Sequence, residues 1–88
     1  MTSYLRVKWK HSFSTEPVLL YSELEGERWE TRKVEVFTDG RRDFASASET
    51  SGNTRLSEEP LPALEEIASD PQFEPFEITR TEFEEVWA

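Results

Sequence analysis

Cysteine is absent from this chain of 88 residues, and histidine occurs once, as His11. The lack of cysteine excludes disulfides, a thiol nucleophile and a cysteine-based zinc site. The sequence also has no His-x-x-x-His pair and no calcium-type loop of alternating acidic residues with a central glycine. We therefore predict that the protein uses no cofactor and has no metal site.

Long hydrophobic runs are missing as well, and no segment is apolar over the length of a signal peptide or a membrane span. The first residues, Met1 to Trp9, alternate charged and apolar side chains instead. We expect from this a cytoplasmic protein that does not contact a membrane.

Glycine is scarce too, and the segment around Gly52 lacks the repeated glycines and the lysine of a phosphate-binding loop.

Acidic residues are abundant, and they are unevenly distributed. The formal net charge is −9. Residues 1–44 contain 8 basic and 8 acidic side chains, whereas residues 45–88 contain 2 basic and 11 acidic ones. All the excess negative charge therefore lies in the second half. This asymmetry disfavours nucleic acid and anionic lipid as partners and favours a basic protein, although solubility alone also explains such a charge.

A β-hairpin is the clearest structural signal. Two alternating, β-prone runs, residues 28–37 and 41–47, flank Asp39-Gly40, and Gly40 accepts the positive φ that a tight turn requires. A two-residue loop would put Phe44 on the face opposite to Val34. We favour a three-residue loop with Gly40 at a bulge, because it pairs Val34 with Phe44 and gathers the apolar side chains on one face.

Two further strands precede the hairpin. Residues 4–11 alternate, with Leu5, Val7, Trp9 and His11 on one face, and residues 18–24 contain three consecutive aliphatic side chains. Together with the hairpin they predict a four-stranded antiparallel meander over residues 3–47. Residues 48–59 are small and polar, which predicts a mobile loop.

The remainder, residues 60–88, is predicted to be largely helical. A short helix follows Pro62, with an apolar stripe of Leu61, Leu64, Ile67 and Ala68. Residues 72–77 are expected to cross the sheet in extended form, with Phe73 and Phe76 inserted into the core. Thr79 and Glu82 form a capping box for a last helix, whose Phe83, Val86 and Trp87 face the core.

The predicted fold is thus a single α+β domain over residues 1–88. A four-stranded antiparallel meander is followed by two short C-terminal helices packed on one face of the sheet. Which face they cover is left open by the sequence. Because a chain of this size has a thin core, we expect a monomer or a weak homodimer.

Catalysis would have to rely on carboxylates, and none is well placed for it. A catalytic pair needs one member in an apolar or like-charged setting that raises its pKa. The adjacent pairs, Glu58-Glu59, Glu65-Glu66 and Glu84-Glu85, instead have the pattern of solvated surface. Cross-strand pairing with Arg32 and Lys33 explains Glu23, Glu30 and Glu35. We predict that the protein is not an enzyme.

Several motifs are spread along the whole chain: Tyr-Leu-x-Val-x-Trp-x-His from Tyr4, Pro17 to Leu24, Trp29-Glu30, Arg-Lys-Val-Glu from Arg32 with Asp39-Gly40, Thr54-Arg55-Leu56, and Phe83-Glu84 with Trp87. In these residues the chain resembles a family of small uncharacterised bacterial proteins, a domain of unknown function. The resemblance implies a bacterial, cytosolic origin and a common fold. It transfers no catalytic residue.

The leading functional hypothesis is a small, acidic, non-enzymatic binding protein that covers the basic surface of a toxin or nuclease, in the manner of an immunity protein or inhibitor. The partner-binding residues would be Glu58, Glu59, Glu65, Glu66, Glu74, Glu77, Glu84 and Glu85. One alternative is a small-molecule or peptide sensor with an aromatic pocket formed by Trp9, His11 and Trp29. Another is an accessory interaction module that docks through an open sheet edge.

Overall fold

A computed structural model describes residues 2–52 and 54–87 of the chain. These residues form β1 (Ser3–Trp9), β2 (Leu19–Leu24), β3 (Glu30–Val36), β4 (Arg42–Ser46), α1 (Leu64–Ala68), β5 (Phe73–Ile78) and α2 (Arg80–Trp87). The strands make one antiparallel sheet in the order β4-β3-β2-β1-β5. The α+β class and the N-terminal meander are therefore confirmed.

The sheet has five strands, so the prediction of four is wrong. The extended segment predicted to cross the sheet is instead β5, which pairs with β1 from Tyr4 opposite Ile78 to Trp9 opposite Phe73. Phe76 is exposed on this edge strand, so its predicted insertion into the core is wrong. Without it, β1 would leave a row of backbone groups unpaired at the edge of the sheet. Pro75 has no backbone N–H, and an edge strand is where a sheet tolerates proline.

The predicted hairpin register is confirmed. Val34 lies opposite Phe44 and Val36 opposite Arg42. The backbone N–H of Phe37 donates to the carbonyl of Arg41 at 2.8 Å, and Gly40 adopts a φ of 89° in the loop between them. The three-residue loop thus places the apolar side chains of the hairpin on one face.

The two helices cover opposite faces of the sheet, so the prediction that both pack on one face is wrong. The α2 face includes Tyr4, Tyr21, Val34 and Phe44, whereas the α1 face includes Leu5, Val7, Leu20, Leu24 and Ala45. Both faces are apolar, so each needs a cover. Because β5 lies between α1 and α2 in the chain, the two helices can pack on opposite faces of the sheet.

The aromatic cluster under α2 forms part of the hydrophobic core. Phe83 is fully buried, with its ring centroid 5.4 Å from that of Tyr4, and Trp87 meets the Phe44 ring edge-on at 5.6 Å. The predicted capping box is present, since Glu82 N–H donates to Thr79 Oγ1 and Thr79 N–H donates to Glu82 Oε1, both at 3.2 Å. The inward direction of the last helix is therefore confirmed.

The first helix is shorter than its apolar stripe predicted. It spans five residues, and Ala68 is exposed rather than part of the packed face. Leu61, Leu64 and Ile67 are each half-buried. This short helix packs beside β5 and leaves a groove between itself and the sheet.

Candidate functional site

A buried carboxylate on β3 organises the α1 face. The side chain of Glu30 is 1% exposed. Its Oε2 accepts a hydrogen bond from Ser22 Oγ at 2.6 Å, and its Oε1 accepts one from the backbone N–H of Ser57 at 2.8 Å. Lys33 Nζ lies 3.3 Å from the same Oε1 and donates to the carbonyl of Arg55 at 3.0 Å. The buried charge is thus fully paired.

Other contacts at β3 fasten the same loop to the sheet. Arg28 donates to the carbonyls of Leu61 and Pro62 at 3.1 and 2.7 Å, and its own carbonyl accepts from Leu61 N–H at 2.9 Å. Thr54 Oγ1 donates to Glu35 at 2.5 Å. The segment predicted to be a mobile loop is therefore anchored at several points as it crosses the α1 face.

Arg28 holds its position through an uncommon backbone conformation. Its φ is 69°, in the left-handed region that non-glycine residues rarely occupy. Such a conformation costs on the order of 1–3 kcal/mol and persists where surrounding contacts fix it. Here the three hydrogen bonds with Leu61 and Pro62 provide those contacts.

A groove of about 330 Å³ opens between α1 and the sheet. Its floor is Val7, Leu20 and Phe73, and its outer wall is Leu61, Pro62 and Ile67. Ser22, Glu30 and Lys33 add polar groups to the lining, and the exposed Glu66 and half-buried Asp70 form its acidic rim. An apolar cleft with a few polar groups has the composition typical of binding sites.

The eight glutamates predicted to bind a partner do not form one surface. Glu58, Glu59, Glu65 and Glu66 are exposed on the loop and helix that cover the α1 face, and Glu77 shares that face because it lies opposite Leu5. The other three belong to the α2 face: Glu74, Glu84 and Glu85. Glu74 is paired with Lys10 at 3.1 Å and Glu84 with Arg32 at 2.7 Å.

The predicted aromatic pocket is assembled in part. The rings of Trp9 and His11 meet edge-on with centroids 4.5 Å apart. Trp29, which is 42% exposed, precedes β3 at the opposite end of the sheet, near Glu25. The structure therefore brings Trp9 and His11 together and leaves Trp29 far from both.

His11 has local hydrogen-bond partners for both ring nitrogens. Its Nδ1 accepts from the backbone N–H of Phe13 at 2.9 Å, and its Nε2 lies 2.7 Å from the carbonyl of Pro17. A neutral ring protonated at Nε2 satisfies both contacts. These bonds fix the loop between β1 and β2.

A cavity of about 400 Å³ beside Trp9 is lined by Phe37 and by the carboxylates of Glu16, Glu35 and Asp43.

The strongest electrostatic cluster lies under α2. Arg32 donates to both oxygens of Glu23 at 2.8 and 2.6 Å and to Glu84, and its guanidinium lies 4.9 Å from the Phe83 and Trp87 ring centroids. Hydrogen bonds from Arg32 lower the pKa of Glu23 and of Glu84. Burial, reinforced by the negative charge of Glu23, raises the pKa of Tyr4. This cluster fastens α2 to the sheet.

Over residues 2–52 and 54–87, no group of three or more His, Asp or Glu side chains is arranged to hold a metal ion. In the same part of the chain, neither helix has the length and apolar character needed to cross a membrane.

Sequence patterns identify the groove residues separately and miss their arrangement. They assign Leu61 and Ile67 to a helix stripe, Phe73 to the core, and Glu30 to a cross-strand ion pair. The sequence signal that could have indicated burial of Glu30 is its place at the start of the predicted strand, beside residues that face the core. The path of residues 54–61 over the sheet depends on Glu30 and Arg28, and no local pattern encodes that path.

Comparison with known proteins adds the family. Residues 3–88 match the model of DUF6881, a domain of unknown function, and the chain belongs to this family. No curated protein and no solved structure matches the chain.

Proposed function

We propose that this DUF6881 domain is a non-enzymatic binding protein whose α1 face contacts a basic protein partner. Its action would resemble that of an immunity protein or inhibitor in a bacterial cytoplasm, which covers the nucleic-acid-binding surface of a toxin or nuclease. The observation that carries the proposal is the apolar groove with Glu66 and Asp70 at its rim.

The pairing of the acidic residues supports this choice of face. Glu74, Glu84 and Glu23 on the α2 face each bind a cation of the same chain. Within the described residues, no ion pair is formed by the acids that lie on the loop, on and after α1, and on β5 of the α1 side: Glu58, Glu59, Glu65, Glu66, Asp70 and Glu77. A partner with basic side chains would supply the missing cations and would associate faster because of the field.

The chemistry of Glu30 favours binding over catalysis. A general acid or base must exchange protons with a substrate. Both oxygens of Glu30 already accept hydrogen bonds from Ser22 and Ser57, and Lys33 balances its charge. The buried carboxylate therefore supports a structural role under the groove.

The edges of the sheet favour a face rather than an edge as the contact surface. Thr50 forms a bridge to Ala45 outside β4, and the backbone N–H of Ser51 donates to the carbonyl of Phe44. At the other edge, β5 contains Pro75, which donates no backbone hydrogen bond. Both features hinder the addition of a partner strand.

A sensor for a small organic cation is a second candidate, supported by the cavity beside Trp9. Trp9 and Phe37 provide aromatic surface there, and Glu16, Glu35 and Asp43 provide negative charge. Ligand binding at this cavity would change the fluorescence of Trp9. Titration with small organic ammonium and guanidinium compounds tests this alternative, with a Trp9→Phe variant to identify the responding tryptophan.

Capture of partners from a lysate of the source organism tests the main proposal. Immobilised wild type is compared with Glu65→Lys/Glu66→Lys and with the charge-matched control Glu49→Lys/Glu85→Lys, which changes acids away from the groove. We expect wild type and control to retain the same basic protein and to release it at moderate salt. The Glu65/Glu66 variant should lose it. Equal retention by all three proteins, or retention of acidic proteins alone, would refute the proposal.

A further inference from the structure

We infer that the groove on the α1 face binds a single large apolar side chain of the partner, within a segment that also carries Lys or Arg next to that side chain. The inference rests on the proposed function and specifies what its partner must present. Four features of the groove support it: its size, its lining, the state of its polar groups and the charge at its rim.

The size and lining favour one anchoring side chain. A volume of about 330 Å³ is at the low end of the range for ligand pockets. Val7 is buried, and Leu20, Ile67 and Phe73 are half-buried around the space. An apolar side chain placed among them would remove this remaining surface from water, which is the main favourable term in protein association.

The polar groups in the groove favour an apolar occupant over a polar one. Glu30 is bonded to Ser22 and Ser57 and paired with Lys33. In the described part of the chain, every buried side-chain nitrogen and oxygen has a hydrogen-bond partner. A polar group entering the groove would lose its water among buried polar atoms that already have partners, which costs free energy.

The acidic rim of the groove favours positively charged residues next to the anchoring side chain of the partner. Glu66 is exposed at the mouth of the groove, and Glu65, Glu58 and Glu59 are exposed on the same loop and helix. Lys or Arg on either side of the anchor would lie among these carboxylates. A second copy of this chain fits poorly as the occupant, because its net charge of −9 repels the same acidic rim.

Three capped pentapeptides serve as probes in an NMR titration of the ¹⁵N-labelled protein. They are Lys-Arg-Phe-Arg-Lys, Lys-Arg-Ser-Arg-Lys and Glu-Asp-Phe-Asp-Glu. We expect the first to shift the amide signals of Val7, Leu20, Ile67 and Phe73 and to bind about 10-fold or more tightly than the second, as burial of one large apolar side chain predicts. The acidic peptide should not bind.

Variants locate the contact. Ile67→Ser removes part of the apolar wall, and Phe76→Ser is the control because Phe76 is 46% exposed on the opposite face. Ile67→Ser should weaken the Phe peptide about 10-fold and leave the Ser peptide unchanged. Glu66→Lys, which leaves the wall intact, should weaken both basic peptides, whereas Glu85→Lys should affect neither. A dispersed NMR spectrum checks that each variant is folded.

The possible outcomes distinguish the inference about the groove from the proposed function of the acidic surface. Equal binding of the two basic peptides would overturn the inference about the groove and leave the proposed function standing. Shifts confined to the α2 face, or an Ile67→Ser variant that binds like wild type, would also overturn the groove. No binding of either basic peptide, or tighter binding of the acidic one, would refute both the inference and the proposed function.

Discussion

Glu30 and Ser57 are joined across the α1 face by a hydrogen bond of 2.8 Å from the backbone N–H of Ser57 to Glu30 Oε1. A carboxylate this deeply buried is tolerated because Ser22 and Lys33 complete its pairing. The bond holds the loop that becomes the wall of the groove. Together with the contacts of Arg28, this strand residue therefore determines where the candidate binding surface is built.

Replacing Glu30 with alanine should loosen this wall. Lys33 and the backbone N–H of Ser57 would lose their partner, at a cost of about 1–3 kcal/mol in the free energy of unfolding. Hydrogen exchange should accelerate at residues 54–61 before the rest of the fold opens. Urea unfolding and amide exchange measure the two effects. The control is Glu27→Ala at an exposed site, and similar behaviour of the two variants would contradict the anchoring role.

Arg32 should be the most sensitive charged residue of the α2 face. Its side chain is 21% exposed and bonds Glu23 and Glu84 between two aromatic rings. We expect Arg32→Leu to lower the free energy of unfolding by about 2–4 kcal/mol, because two carboxylates lose their cation. The free energy of unfolding of Arg32→Lys should lie between those of wild type and Arg32→Leu, since lysine keeps the charge but cannot reproduce the two-pronged contact.

Arg80→Leu is the matched control for that change. The Arg80 side chain is 78% exposed and lies 3.8 Å from Glu84, so its pair is a weak surface contact. Its replacement should change the free energy of unfolding by about 0–0.5 kcal/mol. Urea denaturation of both variants tests the contrast. Equal losses would show that the contacts of Arg32 add nothing specific.

Acid should destabilise the fold through Glu23. Its pKa is lowered from 4.5, mainly by hydrogen bonds from Arg32, so the folded state holds this proton less tightly than the unfolded chain. The stabilisation is fully present above about pH 5 and is lost as the pH falls through the folded-state pKa. Urea unfolding between pH 7 and pH 3 should show this decline. The slope should be smaller in Arg32→Leu, and identical slopes would contradict this origin.

Two glycines should differ in their tolerance of alanine. Gly40 has a φ of 89° and open space on the side where a Cβ would project, so Gly40→Ala should cost about 1 kcal/mol from backbone strain alone. At Gly52, with a φ of 57°, a Cβ would also lie 2.5 Å from Asp43 Oδ2. Gly52→Ala should therefore cost more, about 2 kcal/mol. Thermal unfolding of the two variants shows which is less stable, and a larger loss for Gly40→Ala than for Gly52→Ala would contradict the prediction.

Local signals explain what the sequence could predict. The pairing of Val34 with Phe44 follows from Asp39-Gly40 and the alternation beside it, and the direction of α2 follows from its capping box and apolar spacing. In each case the residues that determine the structure are neighbours in the chain. Such features can be predicted without knowledge of the rest of the fold.

The rest depends on contacts between distant segments. Pro75 and the short alternation around it obscure β5, whose pairing with β1 joins opposite ends of the chain. The division of the helices between two faces follows from that pairing. For the candidate site, the charge pattern predicts acidic contacts but cannot assign Glu66 and Glu84 to opposite faces. Composition carries no information about which carboxylates are already paired.

The position of β1 between β2 and β5 has a consequence for folding. The first strand can pair with β2 early, but it can pair with β5 only after residues 73–78 have been made. Loop closure over such a distance costs entropy before any contact compensates for it, and non-local pairing of this kind slows folding. The strands of the meander lie within residues 3–46, whereas its last neighbour and the aromatic cover of α2 come from residues 73–87. Until residues 73–87 dock, Tyr4 and Val34 remain uncovered, so this fold is completed by a segment far from the first strand in sequence.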